Sequence, residues 1–116
     1  MKKLIILLVI LLSYSLTGAY GQEQISSKEA KDNIGRTVQV KGNVASIFIS
    51  QKGNTFINFD DKSPNQTFTA VIMSETNIDI SGINEGSTLT VYGEIKEYKG
   101  KPEIILESKE QIISIE

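Results

Sequence analysis

From Thr37 to Val44 apolar and polar residues alternate strictly, with Val38, Val40, Gly42 and Val44 on one face and Thr37, Gln39, Lys41 and Asn43 on the other. A period of two marks a half-buried strand and excludes a helix over the same segment. The period returns along the chain. Ile57 and Phe59 oppose Phe56 and Asn58 in a second strand, Thr55 to Phe59. Phe68, Ala70 and Ile72 oppose Thr67, Thr69 and Val71 in a third, Gln66 to Met73. A fourth runs from Ser87 to Tyr98, with Leu89, Val91, Gly93 and Ile95 facing in and Thr90, Tyr92, Glu94 and Lys96 facing out. Lys99-Gly100-Lys101 turns the chain, and Pro102 to Leu106 returns it as a fifth. A final Ile112-Ile113-Ser114-Ile115 either extends the last edge or pairs with the first strand.

The first strand continues into Ile47-Phe48-Ile49. Placing both Ile on the face of Val44 requires a slip of one residue near Ala45-Ser46, the mark of a bulge; without the slip Phe48 points inward, so its side stays open. Gln51 to Asn54 and Asp60 to Asn65 read as turn and loop. Ser74 to Gly82 loses the alternation and reads as a short helix or structured loop, with cap chemistry at Ser74-Glu75-Thr76-Asn77. Ahead of the strands, Ser26 to Gly35 has a Ser cap, good helix formers and a Gly stop, so one or two helical turns are expected, with Ala30 and Ile34 plugging one end of the sheet. Gln22 to Ser27 is a polar lead-in.

Three strands, a connecting segment and two more strands, with Gly inside the first and fourth, imply an all-β fold with small α content: a small sheet that coils and closes on itself, removing its edges. This is the layout of a five-stranded Greek-key OB-fold barrel. An SH3-like barrel is the rival, and it lacks the segment between strands three and four.

Val40-Lys41-Gly42-Asn43-Val44, Thr55-Phe56-Ile57-Asn58-Phe59 and the run from Val91 through Tyr98-Lys99-Gly100-Lys101-Pro102-Glu103-Ile104 to Leu106 stand in the order used by OB-fold nucleic-acid-binding domains of the tRNA-anticodon-binding kind. The chain resembles that family, in a short exported bacterial form, over about three quarters of residues 22 to 116. The resemblance implies a binding module; because such domains serve many partners, it does not imply a ligand. It also sets off a departure: the family's binders usually carry a basic groove or an attached enzymatic domain, and this chain is acidic overall.

Composition removes much chemistry. The 116 residues include no Cys, His or Trp, so disulfides, thiol nucleophiles, imidazole bases and zinc cages of the usual kind are excluded, and neither a cofactor nor a catalytic site is expected. Met1 to Gly21 joins Lys2 and Lys3 to an apolar run from Leu4 to Leu12 and a small-residue end at Ala19-Tyr20-Gly21. This three-part pattern is expected to be a cleaved signal peptide, placing the protein in the periplasm or medium without a membrane anchor. A membrane span needs about 20 apolar residues, and Ser13, Tyr14, Ser15 and Thr17 interrupt this run. The resulting division is 1–21 signal peptide, 22–36 lead-in and short helix, and 37–116 OB-fold domain. Loss of Lys2 and Lys3 moves the formal charge from −2 to −4, so no global basic field draws in a polyanion.

A local one is expected. OB domains bind on the face of strands two and three, between the loop joining strands one and two and the loop joining four and five. Those loops carry Lys52, Lys99 and Lys101, with Lys96 just before. Phe56, Tyr92 and Tyr98 are the aromatics expected to face out, and Asn58, Thr67 and Thr69 supply polar contacts. Rings on which bases stack and Lys that neutralise phosphates are what single-stranded DNA or RNA requires. The competing reading makes the same residues structural: Phe56 under a loop, Tyr98 anchoring a hairpin, Tyr92 covering the barrel, and the Lys serving solubility. The partner is then another envelope protein or a sugar. Asp60 to Asn65 clusters oxygens but lacks the spacing of a calcium loop. Glu103 and Glu107, four apart on a strand, would share a face without a third group to make an acid-base site.

Overall fold

One long strand organises the protein, and its bend is visible in the sequence. The computed structural model describes residues 23–116; the expected signal peptide, 1–21, lies outside them. In chain order the strands are β1 (Gln24–Ser26), β2 (Thr37–Ile49), β3 (Thr55–Phe59), β4 (Phe68–Ile72), β5 (Thr88–Glu94), β6 (Lys96–Tyr98), β7 (Lys101–Ile105) and β8 (Ile112–Ile115). Short 3-10 helices at Ser27–Asp32 and Lys109–Gln111 complete an all-β, OB-like fold with little helix.

β2 serves two partners. Its first half pairs antiparallel with β5, Thr37 opposite Glu94 through Asn43 opposite Thr88, and its second half pairs with β3, Val44 opposite Phe59 through Ile49 opposite Thr55. The register shifts between Val44 and Ser46, where the alternation demanded a slip. The bulge keeps Val38, Val40 and Val44 in the core, packs Ile47 against it and turns Phe48 outward. Ile49 departs from the expectation: it is exposed, because β2 ends there against the turn at Ser50 to Asn54. Gly42 is required by a close approach rather than by its φ. A Cβ there would lie 2.1 Å from Ser27 Oγ and 3.0 Å from the Phe59 ring.

The hydrogen-bonded order is β6-β7-β4-β3-β2-β5-β8, with β1 added parallel to β2. β4 and β7 pair parallel, Thr69 opposite Glu103 and Ala70 opposite Ile104. The inner face buries Ile57, Phe59, Phe68, Ala70, Leu89, Val91, Ile95, Ile104 and Leu106 completely, and Phe59 meets Phe68 edge to face with centroids 5.0 Å apart.

Closure differs from the expectation: the sheet is not closed. One edge of β5 is taken by β2, and β8 occupies the other, with Leu89 opposite Ile115 and Val91 opposite Ile112, so β7 finds no free edge on β5. The chain itself bridges the gap. At Ile95 the backbone bonds Gly35 and Arg36, then swings over to pair β6 with β7. The Gln111 amide spans the remaining seam, its Nε2 donating to Tyr92 O at 3.0 Å and Ile105 O at 3.3 Å.

Three further expectations are corrected and one alternative is settled. The lead-in contains β1, held partly by the ion pair between Arg36 and Glu23, whose hydrogen bond lowers the Glu23 pKa. The short helix is 3-10 and ends at Asp32, so Ala30 is buried while Ile34 is exposed. Of the two readings of Ser74 to Gly82, the structured loop is the one found, and Ile78 and Ile80 pack on the core from it. β8 pairs with β5, neither extending β7 nor reaching β2. Among the described residues no helix is long and apolar enough to cross a membrane.

Candidate nucleic-acid interface

Register partners on neighbouring strands share a face, so the pairings lay out the outer surface of β2-β3-β4-β7-β6 row by row. One row is apolar: Phe48, Phe56, Val71, Ile105. The next is polar and crosses all five strands: Ser46, Asn58, Thr69, Glu103, Lys96. Beyond it lie Lys101 and Tyr98, paired across the hairpin. Each row sits one pleat repeat from the last, so the strict alternation of the sequence becomes stripes of different chemistry.

The stripes form a groove of about 420 Å³. Phe48 and Phe56 line one side, their rings tilted by 31° with centroids 6.2 Å apart. Tyr98, Lys99, Lys101, Pro102 and Glu103 of the β6-β7 hairpin line the other, and Ser63, Pro64 and Gln66 of the β3-β4 loop close one end. The hairpin turn is short and stiff. Tyr98 and Lys101 form its last pair, and Lys99 (φ 51°) and Gly100 (φ 79°) both lie in the left-handed region that a two-residue turn between twisted strands demands. Lys99 Nζ lies 5.4 Å from the Tyr98 ring centroid, and Lys101 Nζ donates to Gln66 O at 3.3 Å, tying the hairpin to the loop.

The floor is a directed hydrogen-bond chain. Gln66 Nε2 donates to Thr69 Oγ1, Thr69 Oγ1 donates to Asn58 Oδ1 at 3.1 Å, and Asn58 Nδ2 donates to Ser46 Oγ at 3.1 Å. Because the Thr69 proton is committed to Asn58, its oxygen takes the Gln66 amide proton, which leaves Gln66 Oε1 buried without a partner among the described residues. Beside this chain Glu103 is partly buried; burial raises its pKa, and the positive charge of Lys96 acts in the opposite direction.

Of the residues singled out from the sequence, the groove gathers Phe56, Asn58, Thr69, Tyr98, Lys99 and Lys101. Asn58 and Thr69 are not the outward contacts expected: only 4% and 5% exposed, they form the floor. Lys96 stands beside Glu103 on the same face but outside the lining. Lys52 is exposed in the β2-β3 turn. Thr67 turns away and, with Ser27, donates to the Asp60 carboxylate, which ties the first 3-10 helix to the end of β3. Tyr92 lies on β5 opposite Gln39 and is not among the groove lining.

The sequence reading missed Phe48, whose side it left open, and Ser63, Pro64, Gln66, Pro102 and Glu103 as lining. Glu103 carried a signal, since in a strand it must share the face of Lys101. Its supposed companion Glu107 lies beyond the end of β7, where its N–H donates to Gln111. Among the described residues no three acidic side chains gather to hold a metal ion.

No protein-family model matches this chain, and no curated protein sequence matches it. Solved structures do. OBody AM1L10, seen bound to hen egg-white lysozyme, is 15% identical with a TM-score of 0.57 over 78% of this chain and 92% of its own. A chain described as an aspartyl-tRNA synthetase of Leishmania major Friedlin is 15% identical with a TM-score of 0.54; the match covers 74% of this chain but only 20% of the synthetase. At these identities the likeness concerns architecture alone, and together with the strand order and the parallel β4-β7 pairing it makes this chain an OB-like fold.

Proposed function

We propose that the protein is an exported, non-catalytic module that binds single-stranded nucleic acid along the groove between Phe48-Phe56 and the β6-β7 hairpin. The observation that carries this reading is the opposition of a two-ring apolar wall to a cationic rim across a polar floor. Bases are flat and apolar on their faces and polar on their edges, while their backbone carries one negative charge per nucleotide. Rings on one side take the bases, Lys96, Lys99 and Lys101 take the phosphates, and the floor meets the base edges. The segment 1–21, with its charged start and short apolar run, supports export.

Fluorescence anisotropy of labelled 12-mers of single-stranded DNA and RNA with the purified protein tests the reading. Three phosphate contacts at about 0.7 each give a salt slope near −2, so affinity should fall roughly 20-fold between 50 and 200 mM salt. The double variant Lys99→Asn, Lys101→Gln should flatten the slope by about 1.4; Asn tolerates the left-handed turn position, so the hairpin is kept. An unchanged slope, or no binding at low salt, refutes the reading and directs the search to envelope proteins and sugars.

A further inference from the structure

The groove has a feature that phosphate neutralisation does not need: its floor and inner wall offer acceptors. Glu103 places a carboxylate in the polar row, directly beside Thr69, in a surface that would serve a polyanion better without it. No hydrogen bond to that carboxylate forms among the described residues, and Gln66 Oε1, at the same end of the groove, is a buried acceptor without a donor. The floor atoms already hold partners: Thr69 spends its one proton on Asn58, and Asn58 gives one of its two amide protons to Ser46. A molecule entering here therefore meets one buried unpartnered acceptor, Gln66 Oε1, and one half-exposed carboxylate with Lys96 on its far side, between an aromatic wall and a cationic rim.

Resting on the proposed nucleic-acid reading, we infer that Glu103 makes this groove select bases that present amino donors, guanine first, over thymine and uracil. The chemistry is that of the base edges. Guanine carries two adjacent donors, N1–H and the N2 amino group, spaced to meet both oxygens of one carboxylate. Cytosine and adenine offer an amino donor beside a ring nitrogen that accepts. Thymine and uracil offer a single N3–H between two carbonyl oxygens, both of which the carboxylate repels. The pairing geometry supplies the placement: Glu103 sits two strands from Phe56 and one row along, about 12 Å at ordinary strand spacings. A base lying against the Phe48-Phe56 wall and reaching over Asn58 and Thr69 turns its edge toward that carboxylate. Burial favours the proton on Glu103, and hydrogen bonds from a bound base favour its release, so ligand and proton compete for the same oxygens.

The test compares labelled (dT)12 with (dT-dG)6, and (rU)12 with (rU-rG)6, by anisotropy at pH 7.5 and 50 mM salt, for the wild-type protein and for Glu103→Gln. The G-containing strand of each pair should bind at least about 10-fold more tightly than its partner. In Glu103→Gln the preference should fall below about 3-fold while (dT)12 binds as well as before or better, because a negative charge has been removed. Equal wild-type affinities for the two strands of a pair, with both bound, overturn the base selection and leave the binding module standing. A preference that survives intact in Glu103→Gln equally overturns the assignment to Glu103. Binding of neither strand overturns the proposed function and the selection with it. Should Glu103→Gln fold poorly, Glu103→Ala is read in the same way, since it too removes the carboxylate.

Discussion

Gln111 is where the open barrel is most easily taken apart. Its amide makes four hydrogen bonds: Nε2 donates to Tyr92 O and Ile105 O at 3.0 and 3.3 Å, and Oε1 accepts from Glu107 N and Ser108 N at 2.7 and 3.1 Å. A protein hydrogen bond contributes about 0.5–1.5 kcal/mol net, least where water replaces the lost partner. The two bonds to Oε1 are exposed and count toward the low end; the two across the seam are partly buried and count toward the middle. Gln111→Ala should therefore cost about 2–3 kcal/mol, equivalent to a fall of roughly 10–20 °C in Tm for a domain of this size. Gln111→Glu separates the two halves of the contact. It keeps an oxygen for Glu107 and Ser108 but points another at two carbonyls, so at pH 7 it should be destabilised at least as much as Ala. Its carboxyl, crowded by carbonyl oxygens, would titrate above the unfolded value, so the Glu variant should regain stability relative to Ala as the pH falls. Urea and thermal melts of the three proteins at pH 5 and pH 7.5 read this out. An Ala variant within about 0.5 kcal/mol of wild type, or a Glu variant equal to wild type at pH 7.5, would refute the view that this amide holds the seam.

Other outcomes follow from the same structure. Gly42→Ala would place a methyl 2.1 Å from Ser27 Oγ; it should cost at least about 2 kcal/mol in urea melts and disturb the Ser27–Asp60 hydrogen bond, seen as altered amide shifts around both residues by NMR. Phe48→Ala, at a side chain 58% exposed, should change stability by no more than about 1 kcal/mol yet weaken oligonucleotide binding about 5-fold or more, whereas Tyr92→Ala should leave affinity unchanged. Glu103 has a folded pKa raised by burial, so the native state holds its proton more tightly than the unfolded chain, and the group opposes folding at pH values above that range. Thermal melts from pH 4 to 8 should show Glu103→Gln more stable than wild type at pH 7–8, with the difference closing as the pH falls through the raised pKa.

The strands were legible because a half-buried sheet imposes its period on the chain. Val38, Val40 and Val44, Ile57 and Phe59, and Phe68, Ala70 and Ile72 could be assigned to the core without coordinates, and the bulge after Val44 was demanded by Ile47. β1 was not legible, since three residues pairing parallel to a strand already in place need no pattern of their own. The seam was not legible either, because closure depends on which edge β8 occupies, a long-range choice that a repeat of Ile at Ile112 to Ile115 does not encode.

For the groove the division is similar. Alternation by itself determined that Phe56 and Asn58, Thr69 and Val71, and Lys101 and Glu103 share faces within their strands, and that Tyr98, Lys99 and Lys101 cluster at one turn. Only the tertiary structure decided that these faces align into rows, that Asn58 and Thr69 become a buried floor, that Thr67 and Tyr92 fall elsewhere, and that the β3-β4 loop brings in Gln66. The physical reason is that a strand's face is a local property set by backbone geometry, whereas its neighbours, and with them burial and hydrogen-bond partners, are set by register and connection across tens of residues.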